Sequence, residues 1–282
     1  MEIEAKSVLS IRDLEDQAKD PGWVFRGQRN AGWPLATSLE RVCETFEADT
    51  TKHGAKIEQI LLREFQRRFH HYRSLLPLGT ALLEWLAYMQ HYGAPTRLLD
   101  WTYSLHVALY FAIEVPDKAG YAVWSINLRW LQEQAFECIK ANPRYYKSAA
   151  GNSNIAIERF LTGVPLEEDA GWLVTLFEDR CPPNLVFSAN PFRLNERLTI
   201  QKGLFLALGN PCVSFEENLK SLRGWQDRVR KFTISPEARL KLLRELDLLN
   251  INGGTLFPGL EGFARSLSVF HHRTSELSKE EM

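Results

Sequence analysis

The sequence lacks the cysteine patterns that mark most zinc centres and disulfide-bonded proteins. Its 282 residues include only four cysteines, which are widely spaced: Cys43, Cys138, Cys181 and Cys212. No CxxC pair or Cys/His cluster joins them, and zinc sites and disulfide frameworks both need such spacing. We therefore expect no metal, and the free thiols are typical of a reducing cytoplasm.

Long apolar runs and an excess of one charge are also missing. No apolar stretch approaches the roughly 18 residues that a membrane-spanning helix needs. The N-terminal segment MEIEAKSVLSIRDLEDQ has no apolar core like that of a signal peptide. The formal net charge is −1, which gives no electrostatic footprint for wholesale nucleic-acid binding. These absences predict a soluble cytoplasmic protein with no membrane partner.

Four familiar catalytic signatures are absent as well. The chain contains no GxxxxGK[ST], GxGxxG, GxSxG or HExxH segment. Those motifs identify P-loop nucleotide sites, dinucleotide-binding folds, serine hydrolases and zinc peptidases. The commonest versions of these functions are therefore excluded.

Helical and strand patterns are present but do not alternate as in a βαβ sheet. Strands are predicted at 23–27, 96–101, 121–128, 184–191 and 230–234. Helices are predicted at 37–46, 55–73, 79–91, 104–114 and 235–248, with Ser38 as an N-cap. The segment RLTIQKGLFLAL (197–208) reads as two strand pieces joined at Lys202 and Gly203. The sequence predicts one continuous α+β domain of small mixed or antiparallel sheets surrounded by helices.

One stretch concentrates polar groups between two apolar helical patterns. It is LLEWLAYMQHYGAPTRLLDWTYSLHVALYFAIE (82–114), in which His91, Tyr92, Thr96, Arg97 and Asp100 lie within ten residues. Buried polar groups need partners, so such a cluster is either a structural network or a binding site. Local patterns leave both alternatives open, including an ion pair of Asp100 with Arg97 or Arg26.

The tripeptide Phe25-Arg26-Gly27 ends a predicted strand. An arginine at this position can hold an anionic ligand with two hydrogen bonds, and a glycine beside it lets a ligand approach the backbone. A structural salt bridge next to a turn glycine explains the same three residues. A further alternative places RNA or DNA against the arginine-rich helix at 63–73.

Two segments together carry a family resemblance. FRGQRNAGWPLATSLER (25–41) and LAYMQHYGAPTRLLDWTYSLHVALYFAIE (86–114) closely resemble the FRG domain family of bacteria and phages, which is named for its Phe-Arg-Gly motif. The downstream segments at 197–208 and 243–264 look like those found in the same family. The resemblance implies a lead-in at 1–19, an FRG core at 20–125, a continuation of the fold over 126–270 and a tail at 271–282.

A more distant resemblance is to ADP-ribosyltransferases of the Arg/Ser-Thr-Ser/Glu type. Phe25-Arg26-Gly27 matches their first strand end, and Asp100-Trp101-Thr102 falls at the Ser-Thr-Ser position. This resemblance implies an ADP-ribosyltransferase-like fold in which Arg26 binds NAD, Gly27 holds the nicotinamide amide and Thr102 braces the site. Tyr92, Trp101 or Tyr110 would stack on the nicotinamide. The whole set of residues expected to contact NAD is Arg26, Gly27, Gln28, His91, Tyr92, Thr96, Arg97, Trp101 and Tyr110.

The third motif of those enzymes contains a glutamate that stabilises the oxocarbenium-like transition state. The matching segment here, NERLTIQKGLF, offers Glu196 before the predicted strand and Gln201 within it, and Asp100 is the other carboxylate available. The expected catalytic set is Arg26, Asp100, Thr102, Gln201 and Glu196. The resemblance implies an ADP-ribosyltransferase or NAD glycohydrolase with a protein or nucleic-acid acceptor and a toxin or phage-defence role. The alternative is a non-catalytic module that binds a nucleotide, a nucleic acid or a protein.

Overall fold

The computed structural model describes residues 5–18, 22–45, 50–72, 77, 81–148, 157, 159 and 171–267. Seven strands within these residues form one mixed sheet: β1 (Ala5–Val8), β2 (Trp23–Gln28), β3 (Leu98–Thr102), β4 (Tyr121–Asn127), β5 (Val186–Ala189), β6 (Gly203–Leu208) and β7 (Val229–Ile234). Their order across the sheet is β1-β7-β4-β2-β3-β6-β5. β1 pairs with β7 in parallel, and the other neighbours are antiparallel. The predicted α+β class is confirmed, with the expected small sheets joined into one.

Helices surround this sheet. They are α1 (Ile11–Gln17), α2 (Ser38–Thr45), α3 (Thr50–Phe69), α4 (Leu82–His91), α5 (Leu105–Ile113), α6 (Leu128–Ala141), α7 (Pro143–Ser148), α8 (Gly171–Glu178), α9 (Glu196–Ile200), α10 (Phe215–Lys220), α11 (Arg239–Leu248), α12 (Gly253–Leu256) and α13 (259–267). Short 3-10 turns lie at Trp225–Asp227 and Pro236–Ala238. Within the described ranges, every helix is too short or too polar to cross a bilayer. The tail predicted at 271–282 lies outside the described residues.

The sheet is buried on both faces, which explains the nearly continuous apolar runs in its central strands. Successive side chains of a strand point to opposite faces. Val24 and Trp124 accordingly belong to one apolar cluster, with α4, α6 and α8. Phe25 and Val123 belong to the other cluster, with α1, α5 and α11. The cleft described below lies near the middle of this sheet, between β2 and β3.

The first helix after β2 begins differently from the prediction. Ser38 is the first residue of α2, and the N-cap is Thr37. Thr37 Oγ1 accepts from the Glu40 backbone N–H at 3.2 Å, and the Glu40 carboxylate accepts from the Thr37 N–H at 2.7 Å. This Thr-x-x-Glu capping box satisfies two backbone donors at once. The Ser38 hydroxyl is thereby left to accept from the Thr96 backbone N–H at 3.0 Å.

The segment before β6 is also different, because its first half is helical. Asn195 Oδ1 accepts from the Leu198 N–H at 2.7 Å and caps α9. Gln201 is therefore the C-terminal cap of a short helix and lies outside the strand. Lys202 follows with a φ of 47°, and β6 begins at Gly203. The prediction of two strand pieces is correct for its second half and wrong for its first.

Candidate functional site

β2 and β3 are neighbours that part after a single residue pair. Phe25 lies opposite Thr102, whereas β2 pairs with β4 along its full length. Beyond that pair, Arg26 Nη1 donates to the Asp100 carbonyl oxygen at 2.6 Å. The Arg26 side chain thus joins β2 to β3 where paired strands would be joined by backbone hydrogen bonds. The divergence of β2 and β3 opens a cleft in the sheet.

The cleft has a volume of about 330 Å³ and is lined by residues of β2, α4, β3, α5 and the α9–β6 turn. That volume lies at the lower end of the range of about 300–1,000 Å³ for small-molecule sites. Four aromatic side chains contribute to the wall: Phe25, Trp101, Phe111 and Phe205. Four residues of the predicted catalytic set meet here: Arg26, Asp100, Thr102 and Gln201. His91, Gly27 and Trp101 of the predicted NAD-contacting set also line the cleft.

Arg26 is half-buried in β2 and only part of its guanidinium is used. Its Nη1 donates to a carbonyl oxygen, and its buried Nε has no hydrogen-bond acceptor within the described residues. Burial lowers the pKa of Arg26, the charge of Asp100 acts in the opposite direction, and Arg41 lowers it again. A partly desolvated cation that lines a cleft is suited to an anionic ligand.

Asp100 presents its carboxylate at the cleft in a fixed orientation. Gln90 Nε2 donates to Asp100 Oδ2 at 2.8 Å. The same amide accepts from Thr96 Oγ1 through Gln90 Oε1 at 2.6 Å. Thr96 is fully buried, so this chain anchors the exposed carboxylate to the core. Thr96 therefore acts on the cleft through Gln90 and does not line it.

Thr102 and Gln201 form the opposite wall. Thr102 Oγ1 donates to the Gln201 carbonyl oxygen at 2.7 Å and accepts from the Ser104 backbone N–H at 3.0 Å. Thr102 is 4% exposed, so its hydroxyl is committed to these two bonds. Gln201 Nε2 in turn donates to the Leu256 carbonyl oxygen at 3.0 Å. The threonine thus braces the turn that carries Gln201.

Arg97, a predicted NAD contact, lies in the core instead. It is fully buried, and its Nε donates to Glu58 Oε2 at 2.6 Å. Its guanidinium lies 3.7 Å from the Phe177 ring centroid and also donates to two main-chain oxygens at the end of β6. Glu58 satisfies the arginine, so the ion pair with Asp100 that the sequence left open does not form. Arg97 therefore has a structural role in the core and does not line the cleft.

Four further predicted site residues lie away from the cleft. Gln28 Nε2 donates to the Pro34 carbonyl oxygen, and Gln28 Oε1 accepts from the Trp124 indole N–H. Tyr110 is 2% exposed in the α5 core. Glu196 is exposed on α9 and outside the lining of the cleft. Tyr92 faces a separate groove between α3 and α4 whose other apolar lining residues are Leu61, Phe65, Phe69, Tyr72, Met89 and Ala94.

Gly27 has a packing reason to be glycine. A Cβ at this position would lie 2.0 Å from the Ala108 carbonyl oxygen and 2.5 Å from the Ala112 backbone nitrogen. Both atoms belong to the α5 backbone, which cannot give way as a side chain does. Close packing of α5 on β2 therefore explains the glycine, and the close approach of a ligand to this backbone stays a prediction. Gly27 nevertheless lines the cleft.

Sequence reasoning missed three polar residues of the cleft: Gln90, Asn195 and Arg197. Asn195 and Arg197 were missed because the segment was interpreted as a strand, although asparagine is a preferred N-cap residue and an acidic residue follows it in the first turn. Among the described residues, no group of three or more His, Cys, Asp and Glu side chains is arranged to hold a metal ion.

Comparison with known proteins gives a family match. The family model of the FRG domain matches residues 21–120. That span includes β2, α4, β3 and α5, and hence Arg26, Asp100 and Thr102, but not the α9–β6 turn. The chain matches no curated protein and no solved structure.

Proposed function

Residues 21–120 are an FRG domain, and from this premise we propose that its cleft binds NAD and transfers ADP-ribose to a macromolecule. The observation that carries the proposal is that residues distant in sequence line the same cleft. Arg26, Asp100, Thr102 and Gln201 come from three separate parts of the chain and line one cleft. Charged and polar residues that line one cavity are a typical feature of a binding site.

The chemistry of the lining supports a nucleotide with a cationic base. Arg26 offers guanidinium donors to a phosphate, and such charge-assisted bonds are stronger than neutral ones. Trp101 and Phe111 offer ring surfaces against which a nicotinamide can pack. Asp100 supplies a negative charge next to them. Together these groups suit a ligand that is anionic at one end and positively charged at the ring.

Asp100 is the residue to which we assign electrostatic stabilisation of the reaction. In the transfer, the bond between ribose C1′ and the nicotinamide nitrogen breaks, and the nitrogen keeps the electron pair. The positive charge of the pyridinium ring passes to the ribose, and neutral nicotinamide leaves. A nucleophile of the acceptor then bonds to C1′ and loses a proton. A carboxylate held beside the ribose stabilises the charge that develops there.

The other two candidates for this role are less suitable. Gln201 carries no charge, and its amide is bound to the Leu256 carbonyl oxygen. Glu196 is exposed and does not line the cleft. Asp100 is the one carboxylate in the lining among the described residues, and Gln90 orients it.

The test combines NAD binding with release of nicotinamide. Isothermal titration with NAD and chromatographic detection of nicotinamide are applied to the wild type, Arg26→Lys and Asp100→Asn. We expect Arg26→Lys to weaken binding and Asp100→Asn to slow nicotinamide release by about 10²–10³-fold, the usual effect of removing one electrostatic stabiliser. Arg129→Ala is the matched control, because Arg129 is exposed on α6 and its ion-pair partner among the described residues is Glu133, which is also exposed. Absence of NAD binding by the wild type would falsify the proposal.

The second candidate function is a nucleotide-binding module without turnover. It is favoured by Gln201, an amide in the segment where the resemblance calls for a glutamate. NAD binding that depends on Arg26, with no nicotinamide release in the presence of cell extract, would support it over the transferase. Expression in a bacterial host tests the toxin role separately, since only the wild type and not Asp100→Asn should arrest growth if transfer is toxic.

A further inference from the structure

A second arginine of the cleft, Arg197, has no electrostatic partner in the part of the chain that the structure describes. It lies on α9, is half-buried and lines the cleft. None of its guanidinium nitrogens makes an ion pair or hydrogen bond with a described residue. Its contact is with an aromatic ring, since the guanidinium carbon lies 4.5 Å from the Phe257 ring centroid. Arg97 shows the contrast, because that buried arginine is neutralised by Glu58.

The Phe257 ring that Arg197 contacts is itself packed in the protein interior. Phe257 is 1% exposed, and its ring meets Phe111 of the cleft wall edge-on at 6.0 Å. Arg265 also lies against this ring, at 3.8 Å. The charge of Arg265 is balanced by Glu114 at 3.1 Å and by a second glutamate on its own helix at 2.8 Å. The charge of Arg197 is therefore the one left uncompensated at this aromatic ring within the described residues.

Stacking of this kind prepares an arginine to bind phosphate. The ring supports the flat face of the guanidinium and leaves the N–H groups at its edge available, and those donors match phosphate oxygens in pairs. The charged groups of the lining are Arg26, Arg197 and Asp100, so the cleft has an excess positive charge. Two cations that share a cavity repel each other unless an anion lies between them.

We propose that Arg197 is a phosphate-binding residue that acts with Arg26 to select ligands bearing a diphosphate. The inference rests on the proposed function for the identity of the ligand as NAD, and it extends that function to a residue outside the FRG match at 21–120. The chemical class is a nucleoside diphosphate or its ADP-ribose derivative. Asp100 and the aromatic wall are left to the sugar and ring at the other end.

The experiment measures dissociation constants of the whole chain for NAD, ADP-ribose, ADP and adenosine. The variants are Arg197→Ala and Arg197→Lys. Arg230→Ala is the matched control, because Arg230 also stacks on an aromatic ring, Trp23 at 4.1 Å, but does not line the cleft. We expect Arg197→Ala to weaken the three phosphate ligands about tenfold or more, as loss of a hydrogen bond to a charged group does. Arg197→Lys should retain part of the affinity, and the control should retain all of it.

The outcomes separate this inference from the proposed function. Equal affinity of the wild type and Arg197→Ala for NAD and ADP would overturn the inference and leave NAD use intact. ADP binding that depends on Arg197, without NAD binding or nicotinamide release, would support the inference and refute the transferase. Failure of the wild type to bind NAD, ADP-ribose and ADP would overturn both. An equal loss of adenosine and ADP affinity in Arg197→Ala would also contradict phosphate recognition, because adenosine carries none.

Discussion

The buried ion pair between Arg97 and Glu58 gives the sharpest prediction about stability. The two side chains are 0% and 1% exposed. The arginine side chain contacts the glutamate, the Phe177 ring and two main-chain oxygens at the end of β6. Removing one member leaves the other as an unpaired charge away from water. We expect Arg97→Met and Glu58→Gln each to lower the free energy of unfolding by about 3–5 kcal/mol.

That loss is large compared with the whole stability of a typical domain, about 5–15 kcal/mol. The double variant Arg97→Met with Glu58→Leu removes both charges and fills the space with apolar atoms. Such replacements are often neutral or stabilising, so the double variant should be more stable than either single variant. A strong favourable coupling between the two sites is the expected result of the double-mutant cycle.

The assay is urea unfolding followed by the fluorescence of the eight tryptophans. Arg129→Met is the control, because the pair of Arg129 with Glu133 is 86% and 61% exposed and should contribute at most about 1 kcal/mol. The reasoning is refuted if Arg97→Met costs no more than this control. It is also refuted if the double variant folds stably but loses NAD binding that the wild type shows, since Arg97 would then contact the ligand.

Three further substitutions test the walls of the cleft and the acid response. Gly27→Ala should lower the melting temperature, because overpacking against a helix backbone costs about 1–3 kcal/mol or more, whereas Gly32→Ala should have a smaller effect. Thr102→Val should destabilise the chain by about 1–3 kcal/mol through an unpaired buried carbonyl and weaken NAD binding, because the Gln201 turn loses its brace. Burial raises the pKa of Asp179, but hydrogen bonds from a tyrosine hydroxyl and a backbone N–H and a nearby arginine together hold it below its ordinary value. Asp179→Asn should therefore flatten the loss of stability as pH falls below about 3.9.

For each of these three substitutions, a specific result would contradict the explanation. A stable alanine variant at Gly27 with impaired NAD binding would restore the ligand-approach explanation for that glycine. Thr102→Ser, which keeps the hydroxyl, should rescue Thr102→Val, and failure of the rescue would argue against the hydrogen bond. The sign for Asp179 follows from its lowered pKa, because the folded state holds the proton less tightly than the unfolded chain does. Urea midpoints for Asp179→Asn that fall as steeply with acid as those of the wild type would contradict this assignment.

The cleft was largely predictable because its key residues belong to motifs that are contiguous in sequence. Arg26 and Gly27 follow one apolar strand pattern, and Asp100 to Thr102 follow another, so the family resemblance brought them together. Arg97 was misassigned because it precedes β3, whereas its partner, Glu58, lies 39 residues earlier on α3. No local pattern reveals that pairing, and an arginine next to a binding motif has the same sequence signature whether it is buried or exposed.

The α9–β6 turn was the other failure, and it has a local cause. Leu198, Thr199 and Ile200 include β-branched residues, which favour strands. Asn195 nevertheless caps the segment as a helix, and this capping outweighed a weak propensity. Because the segment was interpreted as a strand, Gln201 was placed within that strand and Arg197 was not recognised as a residue that lines the cleft.

The central claim is that one cleft between β2 and β3 binds NAD with Asp100 beside the ribose. A crystal structure of the chain with a non-hydrolysable NAD analogue tests it most directly. We predict the nicotinamide ribose within hydrogen-bonding distance of the Asp100 carboxylate and the diphosphate on Arg26 and Arg197. Electron density for the analogue in the groove between α3 and α4, or a ribose remote from Asp100, would contradict the account.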